Sequence, residues 1–141
     1  SGYRDFARRQ EQQTAKRTVV SDLRETQKNA STGYKPTGCT GTLVGFSFRV
    51  TSLANPVRYE TAVVCTNPLG GADIVTVLKT VSLTSNIFFR ANPNPNPIIF
   101  NALGRGTNIP ISTSLSVSST NNASGASFDL PVTITRNGEI Q

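Results

Sequence analysis

From Tyr3 to Ala30 the chain runs without a single Gly or Pro, and Arg, Gln, Lys, Glu and Ala dominate the stretch. These residues lose little side-chain entropy in a helix, so the stretch predicts one α-helix of roughly 40 Å at about 1.5 Å per residue. Asp5 stands three and four residues ahead of Arg8 and Arg9, and Glu25 three ahead of Lys28. Such pairs add about 0.2–0.5 kcal/mol each. Gly33 offers the left-handed residue that ends a helix, Lys28 sits near the negative end of the dipole, and Pro36 bars continuation. The chain thus divides into a helix over 1–32 and a β-rich domain over 33–141, an α+β protein.

The apolar pattern along the helix is uneven. Tyr3 and Phe6 lie one turn apart, Arg8 to Arg17 offers only Ala15, and a new stripe opens with Val19, Val20 and Leu23 and continues to Ala30. Two patches are therefore expected to seek burial, with a solvated middle between them.

Beyond the helix the signals are those of strands. Thr42–Thr51 alternates with Phe46, Phe48 and Val50 on one face, and Val57–Cys65 alternates again after the turn at Asn55-Pro56, so a hairpin is expected. Ile74–Leu78 is apolar on both faces except at Thr76, which predicts a central strand. Val81–Phe89 is patchier. Ala91–Pro97 cannot enter a sheet interior, because each Pro removes a donor and biases its neighbour to extended backbone; it and Ser118–Gly125 read as exposed loops. Ile98–Phe100, Ile109–Val117 and a last strand carrying Phe128, Leu130, Val132 and Ile134 follow, and after the tight turn Asn137-Gly138 the tail 139–141 pairs back briefly. One long helix on an antiparallel sheet region of about seven strands is the expected architecture.

At 141 residues the chain is long enough for one core and not two. The net charge of +6 divides evenly: residues 1–30 carry seven basic and four acidic side chains, and 31–141 carry seven and four, +3 each. The domain is mildly basic, with no intense patch outside the helix. Cys39 and Cys65 are the only cysteines and there is no His, so a four-ligand zinc site has no donors. In a chain rich in Ser, Thr and Asn the two suggest one disulfide in an oxidising compartment, worth roughly 3–4 kcal/mol, with a pair of buried free thiols as the alternative.

Chemistry-bearing motifs are missing. Without His the usual general base and metal ligand are absent. Outside the helix the carboxylates are Glu60, Asp73, Asp129 and Glu139, none within four residues of another. Neither phosphate-binding glycine loop occurs. No enzymatic activity and no cofactor are expected, and calcium has few ligands to draw on.

A gapless N-terminal helix, two cysteines and a β-rich C-terminal part together resemble a type IV pilin or pseudopilin. The sharper resemblance is local. Tyr3-Arg4-Asp5-Phe6-Ala7-Arg8-Arg9-Gln10 is similar to the point where the apolar half of the pilin helix gives way to its amphipathic half. Ile98–Asn108, with Phe128–Leu130 and Val132–Ile140, resembles the closing segments of H-type minor pseudopilins and T/U-type minor pilins, where an I-x-F-x-x-x-G-R segment precedes a final pair of strands.

The family's prepilin-peptidase site and apolar half-helix are missing here, and the resemblance implies that they precede Tyr3 in the natural chain and that this is a trimmed form. It further implies residence in the bacterial inner membrane before assembly, then in a periplasmic or extracellular filament, with other pilin or pseudopilin subunits as partners. Tyr3, Asp5, Phe6, Arg8, Arg9, Glu11, Lys16 and Arg17 would be subunit contacts. Some T-type minor pilins are thought to bind DNA through basic residues near the last strands; the matching candidates are Arg90, Arg105 and Arg136. A β-rich surface adhesin with a stalk helix is the remaining alternative.

Overall fold

A computed structural model of the chain describes residues 2–119 and 129–141, with side chains at all of these except 2–5 and 8. Helix α1 spans Gly2–Ser31. Gly33, at φ +70°, closes it: its N–H bonds the Ala30 carbonyl at 3.1 Å, and the Tyr34 N–H bonds that of Asn29 at 3.1 Å. This is the left-handed stop expected from Gly33. A side chain there would also run into Leu103.

The strands are β1 (Leu43–Ser52), β2 (Arg58–Cys65), β3 (Ile74–Ser82), β4 (Ile87–Phe89), β5 (Ile98–Asn101), β6 (Ser112–Ser119) and β7 (Leu130–Thr135). They form two antiparallel sheets, one of four strands in the order β3-β2-β1-β5 and one of three in the order β4-β6-β7. The expected hairpin is present as β1–β2, with Phe46 opposite Val63, Phe48 opposite Thr61 and Val50 opposite Tyr59. The tail returns to β7 as expected, through reciprocal bonds between Thr133 and Gln141 at 3.0 and 2.9 Å.

Several sequence expectations are corrected. The apolar run Ile74–Leu78 lies in β3, which stands at an edge of the four-stranded sheet with no residue fully buried; its double-sided apolar pattern is that of an exposed strand. Val81–Phe89 is no single strand: Val81 and Ser82 end β3 while Ile87–Phe89 joins the other sheet. Ile111 points to solvent, because β6 begins only at Ser112. The Asn-Pro loop is pinned rather than simply exposed. Pro93 is buried, the Asn94 N–H bonds Thr113 Oγ1 at 2.9 Å, and the Asn96 amide both accepts from the Val50 N–H and donates to its carbonyl, each at 2.9 Å. The Asn96 side chain thus adds one rung to β1 where β5 stops. Ser118 and Ser119 are buried in β6, while the rest of Ser118–Gly125, like Phe128, lies outside the described residues.

One core joins both sheets to α1: Val19 and Leu23 pack with Phe46, Phe48 and Tyr59 of the four-stranded sheet and with Leu115, Val117, Val132 and Ile134 of the three-stranded one. The helix has no solvated middle as long as expected, since its buried stripe begins at Gln12 and continues through Ala15, Val19, Asp22, Leu23, Thr26 and Ala30. The spacing is helical, but three of the seven are polar, so hydropathy alone hides the stripe.

Two of its polar members, Gln12 and Asp22, are anchors to the sheets. Gln12 Nε2 donates to the Val117 carbonyl of β6 at 2.7 Å. Asp22 accepts from the Tyr59 hydroxyl of β2 and, at 2.6 Å, from Lys79 Nζ of β3. Just outside the stripe, Gln27 Nε2 donates to the Gly138 carbonyl in the C-terminal turn. Cys39 and Cys65 form the disulfide, Cα–Cα 5.6 Å, tying the segment after α1 to the end of β2.

Tyr59 is fully buried, so deleting the carboxylate beside it strands a phenolic hydroxyl in the core. Asp22→Ala should lower unfolding free energy by about 2–3 kcal/mol and Tyr59→Phe by about 1 kcal/mol, read by chemical denaturation. Equal losses from the two would show that the buried hydroxyl is not what makes Asp22 necessary.

Candidate functional site

The surface features that single themselves out are the N-terminal part of α1, a groove beside its middle, and a hollow at the C-terminal end of β7. Ahead of Gln12 no described side chain of α1 is buried, and Phe6 is 62 % exposed. Arg9, Gln10 and Glu11 are exposed with it. The side chains of Tyr3, Asp5 and Arg8, three of the expected subunit contacts, lie outside the described ones. Glu11 accepts a hydrogen bond from the Asn86 amide at 3.4 Å.

Lys16 and Arg17, the other expected contacts, line a groove of about 710 Å³ together with Gln13, Val20, Arg24 and Leu130. Arg24 and Val20 were not among the sequence candidates. The signal was available: Gln13, Arg17, Val20 and Arg24 recur at helical spacing, a basic stripe with one apolar member, adjacent to the buried stripe.

Of the three candidate arginines, two come together. Arg105 and Arg136 share a hollow of about 780 Å³ with Gly106, Thr107 and Ile111. The turn at 104–107 is fastened to the end of β7, because the Arg136 carbonyl accepts from the Thr107 N–H at 3.1 Å and from its hydroxyl at 2.9 Å. Gly104 and Gly106, at φ +70° and +81°, let the backbone make that turn. Among the described residues neither guanidinium stands in an ion pair. Two unneutralised cations over an open, partly apolar hollow suit an anion such as a phosphate.

Arg90 is placed elsewhere and is committed within the fold. Its Nε donates to Asp129 at 2.5 Å and its guanidinium lies 5.2 Å from the Phe88 ring. Burial pushes the Asp129 carboxyl up, but hydrogen bonds from Arg90 and from the Ser118 hydroxyl, with the Arg90 charge, outweigh it and hold the group below its ordinary value. On β3, the hydrogen bond to Asp22 holds the Lys79 ammonium above its ordinary value despite some burial. Burial, followed by the bond and charge of Asp22, keeps the Tyr59 phenol neutral well into the alkaline range.

Among the described residues no three His, Cys, Asp or Glu side chains cluster as metal ligands, and no helix is long and apolar enough to cross a membrane. Compared with family models, with curated proteins and with solved structures, the chain finds no match in any of the three.

Because the folded Asp129 titrates below its ordinary 3.8, its ion pair adds stability that is fully present above that value and lost as pH falls through the lower folded one. The melting-temperature gap between the wild type and Asp129→Asn should stay level from neutral pH to about 5 and close below about 4. A gap that persists undiminished into stronger acid would show that the effect is not carried by ionisation.

Proposed function

We propose that the chain is the globular part of a filament subunit, a minor pilin or pseudopilin of a type IV pilus or of a type II secretion pseudopilus, assembled through α1. The observation that carries this reading is the division of α1. One continuous helix is held from Gln12 onward by a buried stripe and polar anchors, while the described side chains before it, Phe6, Arg9 and Glu11 among them, are exposed. A rod of that kind leaves apolar area in water until a neighbour covers it.

The resemblance of Tyr3–Gln10 to the pilin helix junction, and of Ile98–Asn108 with Phe128–Leu130 and Val132–Ile140 to the closing segments of minor pilins and pseudopilins, supports the same assignment. In this reading Tyr3, Asp5, Phe6, Arg8, Arg9 and Glu11 meet neighbouring subunits, with Lys16 and Arg17 beside them. An apolar segment ahead of Tyr3 holds the subunit in the inner membrane until it enters the filament. The role is structural, with no reaction and no cofactor.

Phe6→Glu in the native gene should abolish assembled filaments, or the secretion that depends on them, while the purified chain keeps its melting temperature, because Phe6 makes no contribution to the core. Filaments at normal number in that variant would overturn the role given to α1.

The pairing of Arg105 with Arg136 in one hollow favours a second reading on the same scaffold, a DNA receptor. Duplex DNA should then bind at low salt, weaken steeply as salt rises, and weaken further with Arg105→Ala and Arg136→Ala combined. No binding at low salt would remove this reading and leave the structural one.

A further inference from the structure

A helix laid on sheets has two flanks between its buried stripe and its outermost face, and the charges of α1 are sorted between them. Its described carboxylates belong to the flank beside β3 and β4. Glu11 accepts from Asn86 at 3.4 Å, Asp22 accepts from Lys79 at 2.6 Å, and this Asp22 bond, with the charge of Glu25 behind it, holds the Lys79 ammonium up. The flank beside β7 and the tail carries Lys16, Arg17 and Arg24 instead, which line the groove of about 710 Å³ with Gln13, Val20 and Leu130.

Nothing in the chain neutralises these three cations locally. No acidic residue stands three or four positions from any of them, and Lys28, four after Arg24, adds like charge. Among the described residues none of the three is in an ion pair, and residues 120–128 contain no acid. Between the cations the groove is apolar: Val20 and Leu130 are half-buried and packed against the core from its two sides.

We infer that this groove docks an acidic amphipathic helix of a partner protein, one that sets an apolar residue between two carboxylates. Charge selects an anionic partner, since three cations over one groove meet no counter-charge at home. The apolar floor selects a polypeptide. Val20 and Leu130 offer contact to an aliphatic side chain, while among the described residues no aromatic ring lines the groove for a nucleobase to stack on.

Spacing selects a helix. Arg17, Val20 and Arg24 follow one another by three and four positions, which puts the two arginines about 10 Å apart along α1 with the valine between them. A helix laid alongside has the same rise, so its residues j, j+3 and j+7 stay in step with these three. An extended chain, at about 3.3 Å per residue with alternate side chains turned away, falls out of step. The groove lies beyond the exposed start of α1, so the inference stands whether or not the chain is a filament subunit.

The probe is a fluorescein-labelled, alanine-based helical peptide of about 20 residues with Glu, Leu and Glu at j, j+3 and j+7. Its control has the same composition with those three residues moved to different faces. Fluorescence anisotropy should show the first peptide binding saturably between about 1 μM and about 1 mM, at least about tenfold tighter than the control, and weakening several-fold as salt rises from about 50 to about 300 mM. Arg17→Glu combined with Arg24→Glu should weaken binding at least about tenfold, and a peptide with Lys in place of both Glu should bind that variant and not the wild type. Both arginines are exposed, so the variant should keep the wild-type melting temperature; should it fail to fold, Arg17→Ala alone should weaken binding several-fold. Arg105→Ala combined with Arg136→Ala should leave peptide binding unchanged. Equal binding of the two Glu peptides, or binding indifferent to Arg17 and Arg24, would overturn the inference. So would a groove that ignores the peptide and takes a short duplex DNA through those same arginines, which would assign it to nucleic acid.

Discussion

The arrangement rests on the polar-laced stripe of α1 and above all on Asp22. A helix this rich in Arg, Gln and Lys has little reason to bury itself, and the four small or medium apolar residues of the stripe offer limited area. Position is instead set by hydrogen bonds that only one placement satisfies: Asp22 to β2 and β3, Gln12 to β6, and Gln27 to the turn before the tail. Because these partners belong to different sheets, the helix is also what fixes the sheets relative to each other. An unmet carboxylate in the core would be costly, which makes alternative dockings of α1 unfavourable as well as unrewarded.

Much of this architecture was legible in the chain. The Gly- and Pro-free run marked α1 and Gly33 its end, the alternation around Phe48 and Tyr59 marked the first hairpin, and Asn137-Gly138 marked the last turn. Each is a local signal with a local cause. What stayed hidden depends on what a residue meets across space. Ile74–Leu78 is apolar on both faces, a pattern shared by a buried central strand and an exposed edge strand, and only the strand order separates them. Gln12 and Asp22 look like solvent-facing helix residues until β6 and Tyr59 are set beside them. Asn96 looks like part of a repetitive loop, although its amide completes the hydrogen bonding of Val50.

The candidate surfaces were legible to a similar degree. Arg105 and Arg136 were recognisable as candidates and share one hollow, yet nothing local distinguished them from Arg90, whose charge is taken up by Asp129. The basic stripe of Lys16, Arg17 and Arg24 required the helical period to be followed past the apolar residues. The exposed start of α1 and the hollow of Arg105 and Arg136 lie on separate elements of the fold.

The Cys39–Cys65 bond has a mechanical consequence. β1 and β2 lie wholly within the loop it closes, with the two cysteines 26 positions apart. Tension pulling α1 away from the rest of the chain would reach Cys39 and cross through sulfur to Cys65, bypassing the intervening residues. The central hairpin of the larger sheet therefore bears no load along its backbone and cannot be drawn out strand by strand; under force, the elements that yield are α1 with its anchors and the strands from β3 onward.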